Sequence, residues 1–175
     1  GGTGSDMARV MYFDCFSGAA GDMVLGALLD AGLPIDQLRA ALGSLGVDYE
    51  VHPSRVLRAG VSATHVEVRP KGRERHHHGH EHHHHDHGHG AHSHTHDHRS
   101  LAEISHRIGH SALSAAGKAK AVTLFRRIAE AEAAIHQMPV EQVHLHEVGA
   151  PDSIIDIVGA VFGLEWFGID DIVAS

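Results

Sequence analysis

A histidine-rich tract in the middle of the chain limits what this sequence can fold into. Between His76 and His98, 14 of the 21 histidines are interspersed with small and polar residues, and no apolar residue larger than alanine occurs. Such a stretch cannot bury enough apolar surface to offset the entropy cost of ordering it. We therefore predict a disordered, low-complexity insert at 71–98, with segments 7–70 and 99–175 packing together as one domain. Residues 1–6 are interpreted as a cloning remnant.

The composition argues against several classes of protein. The formal charge is −8 with histidines counted as neutral, and no basic stripe suggests a nucleic-acid partner. Cys15 is the only cysteine, which excludes an internal disulfide or a thiolate cluster and agrees with a reducing compartment. No apolar run reaches the roughly 18 residues that a membrane span needs. We therefore expect a soluble, cytoplasmic protein that binds neither nucleic acid nor a membrane.

The sequence of the first segment predicts two regions of strand separated by helices. Val10–Asp14 is a short apolar run typical of a buried strand. A helix is expected from Asp22 to Ala31, where Gly32 follows as a left-handed stop, and another begins at Pro34. From Tyr49 to Arg69 the pattern alternates as it does in half-buried strands.

The second segment is mainly helical. Ser100 and Ser114 are candidate N-caps of two helices. The run Val143–Val148 alternates like a short strand, and Pro151 begins an apolar helix that runs to about Phe167. Ile172 and Val173 then indicate another strand. Together the two segments predict an α/β (or α+β) fold in which short strands pack with helices.

The histidine tract is the strongest chemical signal. Imidazole is a ligand suited to nickel, zinc, copper and cobalt, and a flexible chain of imidazoles satisfies many geometries, so the tract does not select one metal. An affinity tag or a solvated spacer is the alternative, although tags are usually terminal and uninterrupted. The candidate ligands are His76, His77, His78, His80, His82, His83, His84, His85, His87, His89, His92, His94, His96 and His98.

A second group of candidate residues surrounds the start of the last helix. On a strand, His144 and His146 point to one face, while Glu147 lies opposite or at the turn. Asp152 and Asp156 are four residues apart, on one face of the helix near its N-terminus. These groups predict a metal or acid–base site. The alternative is that the acids serve the helix start and a basic partner, and that the histidines are surface residues.

Asp14 and Asp22 flank a loop of small residues. A strand, a glycine-rich turn and a helix start can present backbone N–H groups to a phosphate. The run Phe16 to Asp22 has neither the spacing nor the lysine of a Walker loop. A tight strand–helix connection that needs small residues, with Asp22 as its cap, is an equally good interpretation. Cys15 is expected to be a small buried residue rather than a nucleophile.

Two stretches resemble one known family. The run 14–23, D-C-F-S-G-A-A-G-D-M, is similar to the D-x-F-S-G-x-x-G-D-M opening of the nickel-insertion proteins of nickel-pincer cofactor synthesis (LarC). The run 143–160, which contains H-L-H-E-V-G-A-x-D-S-I-x-D-I-V-G, resembles the second signature of that family. An internal histidine-rich insert between the two is also typical of its members.

The resemblance implies a specific activity. Members load Ni²⁺ into pyridinium-3,5-bisthiocarboxylic acid mononucleotide, form carbon–nickel and sulfur–nickel bonds, use CTP with a divalent ion such as Mg²⁺ or Mn²⁺, and are classed as lyases. The finished cofactor goes to a pincer-dependent apo-enzyme. The resemblance makes candidate catalytic residues of Asp14, Ser17, Asp22, Glu147, Asp152 and Asp156, cofactor-binding residues of Gly18 and Gly21, and metal ligands of His144 and His146.

The resemblance also implies that more chain belongs to the complete protein. Family members are more than twice this length, so we expect this to be an N-terminal domain, with CTP handling and homo-oligomer assembly in a C-terminal domain. Two functions stay open at this point. One is a nickel-inserting enzyme, and the other is a histidine-rich nickel or zinc storage or metallochaperone module without catalysis. If the two signatures form one functional pocket, their acidic and imidazole groups should converge in one cleft.

Overall fold

The computed structural model of the protein describes residues 8–16, 18–58, 60–72, 100–145 and 150–175. The predicted mixture of helices and short strands is confirmed. In chain order the elements are β1 (Val10–Phe13), α1 (Gly21–Asp30), α2 (Ile35–Gly43), β2 (Tyr49–Arg58), β3 (Val61–Pro70), α3 (Leu101–Gly109), α4 (Ala115–His136), a 3₁₀ turn (Val140–Gln142), α5 (Pro151–Phe167) and β4 (Asp171–Ala174). No described helix is both long and apolar enough to cross a membrane.

Local signals set the helix ends. The Ser100 and Ser114 side chains accept hydrogen bonds from backbone N–H groups three residues later, as N-caps do. Pro151 occupies the first turn of α5, and Gly168 ends that helix with a φ of 62°. Asp22 is not a cap, because Ala20 is the N-cap residue of α1 and makes no side-chain capping bond.

Strands β2 and β3 form an antiparallel hairpin. Their register pairs Val51 with Val68 and Arg58 with Val61. The face that carries Val51 and Val66 is turned to the core, where both side chains are buried. The opposite face carries Val56, which pairs with Ala63, and is more open to solvent.

The two halves of the chain contribute to one apolar core. Leu25 and Leu28 of α1 are buried against α5, at two glycines of that helix. A Cβ at Gly159 would come within 2.8 Å of Leu25, and one at Gly163 within 2.8 Å of Leu28. The small residues of α5 therefore let α1 approach closely, which fixes the relative position of the two helix starts.

Two sequence predictions differ from the structure. The run 143–148 is not a strand over its described part: His144 makes only an isolated bridge to Ser100, and residues 146–149 lie outside the described residues. Val143 and Leu145 are buried on either side of exposed His144, so the alternation reflects an extended segment that packs on the core.

The second difference concerns β1, which pairs in parallel with β4 but is not buried. Val10 is 56 % and Tyr12 60 % exposed, and Cys15, expected to be buried, is partly exposed. Apolar composition predicted burial, whereas the described residues cover only one side of β1, where Met11 packs against the core.

Candidate functional site

The starts of α1 and α5 meet beside strand β3 and enclose a cavity of about 340 Å³. Asp22 comes from α1, His65 and Glu67 from β3, and Asp152 and Asp156 from α5. We call this space the carboxylate cavity. It brings the first signature, which contributes Asp22, next to the second, which contributes the two aspartates of α5.

Gly21 allows the two helix starts to come this close. A Cβ atom at this position would lie 2.3 Å from the Oδ2 atom of Asp156, a distance that no side chain tolerates without a shift. The absence of a side chain therefore lets the Asp156 carboxylate lie against the backbone of α1. Packing therefore accounts for the glycine immediately before Asp22, and no phosphate contact is needed to explain it.

Asp156 is the most perturbed acid in the cavity. Its Oδ1 atom is buried and has no hydrogen-bond partner among the described residues. Burial, followed by the negative charges of Asp22 and Asp152, raises the pKa of Asp156 to about 6 from an ordinary value of 3.8. The ionised form is therefore held in the cavity at a cost that a nearby cation would offset.

His65 lines the carboxylate cavity from strand β3. Its Nε2 atom is 3.8 Å from the Oδ2 atom of Asp22, and both side chains are partly exposed. Glu67, two residues further along β3, forms an ion pair with Arg69. His65 was not predicted as a site residue. The strand alternation placed it on the polar face, but no sequence pattern indicates that α1 packs beside that strand.

A separate polar network joins the end of α1 to β3. The Oδ2 atom of Asp30 accepts a hydrogen bond from the backbone N–H of Thr64 (2.9 Å), and its Oδ1 atom accepts one from the Thr64 hydroxyl (2.7 Å). These bonds, with a contribution from Arg55, hold the pKa of Asp30 below its ordinary value. This network, which sequence reasoning missed, fixes the distance between α1 and the hairpin.

The other predicted residues lie elsewhere. Asp14 follows β1, where its Oδ1 atom accepts a hydrogen bond from the Ser175 hydroxyl (3.2 Å), and it does not line the carboxylate cavity. Gly18 lies in the loop with a φ of 84°. His144 lines a different cavity, of about 170 Å³, together with His136 and Glu132.

Several predicted residues lie outside the described part of the chain. They are Ser17, His146, Glu147 and every histidine of the 76–98 tract. Among the residues that the structure describes, no three His, Cys, Asp or Glu side chains are placed to hold a metal ion together. The described part of the carboxylate cavity therefore offers acidic groups to a cation but does not supply a complete set of metal ligands.

Comparison with known proteins gives a consistent result. A family described as "Nickel insertion protein" matches residues 11–175. The "Putative nickel insertion protein" of Geotalea daltonii is 43 % identical over 170 residues, which are 95 % of this chain and 38 % of that protein. A protein of the same name from Wolinella succinogenes is 44 % identical over 169 residues, 95 % of this chain and 38 % of that protein.

A third relative carries a more specific name. The "Pyridinium-3,5-bisthiocarboxylic acid mononucleotide nickel insertion protein" of Desulfitobacterium hafniense is 41 % identical over 168 residues, 95 % of this chain and 36 % of that protein. The chain thus spans well under half the length of these relatives. No solved structure matches it.

Proposed function

Because this chain belongs to the nickel insertion protein family, we propose that it forms the nickel- and substrate-binding part of an enzyme that inserts nickel into pyridinium-3,5-bisthiocarboxylic acid mononucleotide. That substrate is the one in the name of the Desulfitobacterium hafniense relative. We place the insertion at the carboxylate cavity. Nickel is a substrate in this scheme, since it leaves with the product.

The observation that carries the proposal is the crowding of acids around Asp156. Its buried Oδ1 atom has no partner among the described residues, and the charges of Asp22 and Asp152 act on it. Gathering carboxylates lowers stability unless a cation offsets their repulsion. Ni²⁺ supplies the missing positive charge. The pyridinium ring of the other substrate is also positive, but its charge offsets only one of the two thiocarboxylates beside it.

The raised pKa of Asp156 also suits the chemistry. A carbon–nickel bond replaces a carbon–hydrogen bond of the ring, so one proton leaves as nickel binds, while the two thiocarboxylates donate sulfur electron pairs to the metal. A carboxylate with a pKa of about 6 is mainly ionised at neutral pH and accepts a proton more readily than an ordinary aspartate. We assign proton acceptance to Asp156, and attraction of the cations to Asp22 and Asp152.

The histidine tract is proposed to supply the nickel. Val68 lines the carboxylate cavity, β3 ends at Pro70, and the described chain stops after Gly72 and resumes at Ser100. Because the tract is covalently joined to β3, any metal that it carries is present at a raised local concentration at the cavity. The relatives are longer than this chain. We assign to their additional length the binding of CTP and its Mg²⁺ or Mn²⁺ ion, the lyase step that uses CTP, and homo-oligomer assembly.

One observation favours the alternative of a storage or metallochaperone module. The described residues contain no group of three metal-ligating side chains, so they hold no ready-made nickel site. A storage module would keep all its nickel on the tract. It would bind nickel with or without the precursor and would release no nickel-containing product.

The test uses the full-length protein with nickel, CTP and the precursor, and follows the nickel-bound product by mass spectrometry. Asp156→Asn should lower the insertion rate on the order of 100-fold, because a proton acceptor is lost. Asp36→Asn is the matched control, since Asp36 is 92 % exposed on α2 and, among the described residues, forms one ion pair, with Arg39 at 3.9 Å. Bound nickel without product from the wild-type protein would favour storage. Equal rates for the two variants would remove Asp156 from the mechanism.

A further inference from the structure

A second, larger cavity adjoins the carboxylate cavity. It has a volume of about 770 Å³ and lies between α1 and the β2–β3 hairpin, with Asp22 and His65 lining both spaces. We call it the α1–hairpin groove. Its walls are mainly apolar: Met23 and Ala27 of α1 face Val56 and Ala63 of the hairpin. A groove of this shape suits a flat, weakly polar ring system.

The two ends of the groove differ in charge. At one end Asp22 lies beside the carboxylate cavity. At the other, Arg58 lies at the end of β2, where it pairs with Val61. His65 is four positions after Val61 in β3, which is about 13 Å at the usual rise of a strand. Acidic and basic ends are thus separated by roughly the length of a nucleoside monophosphate.

Among the described residues that line the groove, Arg58 is a cation without an ion-pair partner. Asp30, an acid that also lines the groove, already accepts hydrogen bonds from Thr64 and pairs with Arg55. Arg58 is exposed, and it forms no ion pair with any side chain in the described ranges. An arginine in this position is suited to a phosphate, which it binds through charge and two parallel hydrogen bonds.

We propose that the α1–hairpin groove binds the pyridinium mononucleotide, with the ring toward Asp22 and the phosphate on Arg58. This assignment rests on the proposed function for the identity of the nucleotide, and it adds where and in which direction the nucleotide binds. The pyridinium charge offsets one of the two thiocarboxylates, so the ring end carries less negative charge than the phosphate, and it meets the cavity that attracts the nickel ion. The apolar walls cover the faces of the ring, and the dianionic phosphate meets the basic end. The reverse direction would bring the more negative phosphate against Asp22, Asp152 and Asp156, where like charges repel.

The proposed direction has a consequence for the chemistry. The thiocarboxylate sulfurs flank the ring, so they lie at the boundary between the groove and the carboxylate cavity. A nickel ion held by the cavity would then meet the ring carbon and both sulfurs together. The groove thus fixes the substrate, and the carboxylate cavity acts on it.

The experiment measures binding without metal or CTP, by calorimetry on the full-length protein. The probes are the pyridinium bisthiocarboxylate mononucleotide and its dephosphorylated nucleoside. Arg58→Gln should lower the affinity for the mononucleotide roughly tenfold or more and leave the affinity for the nucleoside unchanged, because only the phosphate contact is lost. Arg126→Gln, on the exposed face of α4, is the matched control and should change neither. Ala63→Trp should weaken both probes, since it fills the groove.

The outcomes separate this inference from the proposed function. Equal affinities for the wild-type protein, Arg58→Gln and Ala63→Trp, while the wild type still inserts nickel, would overturn the groove and leave the function standing. Binding that depends on Arg58 and on the phosphate, in a protein that inserts no nickel, would support the groove and refute the function.

Discussion

Replacing Asp156 by asparagine should stabilise the metal-free protein, although it removes a residue that we assign to catalysis. Asparagine has nearly the same shape and no charge. Asp156 is half-buried against Gly21, and its pKa is raised to about 6 by burial and by the charges of Asp22 and Asp152. Folding therefore has to overcome an unfavourable charge, which the substitution removes.

The size of the effect follows from the pKa change. The ordinary value is 3.8 and the folded value about 6, and each unit is worth about 1.4 kcal/mol, which gives about 3 kcal/mol. Solvent screens a half-buried carboxylate, so ionised Asp156 costs roughly 2–3 kcal/mol of unfolding free energy. The sign depends on pH. Below pH 3.8 both states are protonated and there is no cost. As the pH rises to about 6, the unfolded chain ionises first and stability falls, and above that the full loss remains.

Urea unfolding at pH 4 and pH 8, with a chelator present, gives the measurement. The asparagine variant and the wild type should be about equally stable at pH 4. At pH 8 the variant should be more stable by roughly 2–3 kcal/mol, or about 5–10 °C in Tm for a domain of this size. Asp36→Asn should change stability by no more than about 0.5 kcal/mol at either pH, as exposed substitutions do. A gap of the same size at both pH values, or a less stable variant at pH 8, would refute the argument.

Three further predictions concern packing and the tract. Gly21→Ala should lower the free energy of chemical unfolding by about 2 kcal/mol or more, since the new Cβ atom would meet Asp156. Gly43→Ala, where a Cβ atom would have nothing within 4 Å, should be neutral or slightly stabilising. Equal effects of the two substitutions would count against the close contact at Gly21. Calorimetric titration of the 76–98 tract with Ni²⁺ should show most sites lost between pH 7.5 and pH 5.5, because binding needs neutral imidazole; equal stoichiometry would contradict this. Deleting 75–99 should leave the metal-free Tm unchanged, and a lower Tm would show that the tract contributes to the fold.

Sequence reasoning succeeded where a local signal decides the structure. Pro151 and Gly168 delimit α5 because each residue has a backbone conformation that suits one end of a helix. It was less successful where a distant partner decides. The apolar run of β1 predicted burial, but an exposed pairing with β4 replaced it, and whether Val143–Val148 pairs into a sheet depends on segments far away in the chain.

The candidate site shows the same division. The motifs identified Asp22, Asp152 and Asp156 as chemically informative, and the structure brings these three to one cavity. His65 and Arg58 were missed because alternation along a strand gives the side on which a residue lies but not the helix that packs there. The approach of α1 to β3 depends on Gly26, where a Cβ would come within 2.1 Å of the Thr64 carbonyl oxygen, and no spacing rule reveals such a contact.

The pairing of β1 with β4 also bears on when the protein acquires its order during synthesis. Val10 pairs with Asp171, and the backbone N–H of Cys15 donates to the Ser175 hydroxyl (2.9 Å), so these contacts close a loop of about 160 residues. Long loops close late and slowly, and a chain emerging from the ribosome presents its N-terminal end first. The loop that leads into Asp22 is therefore held at both ends only after β4 has been synthesised and has paired with β1. A nascent chain would carry its histidine tract well before that moment, so the capacity to gather metal would precede the site that uses it.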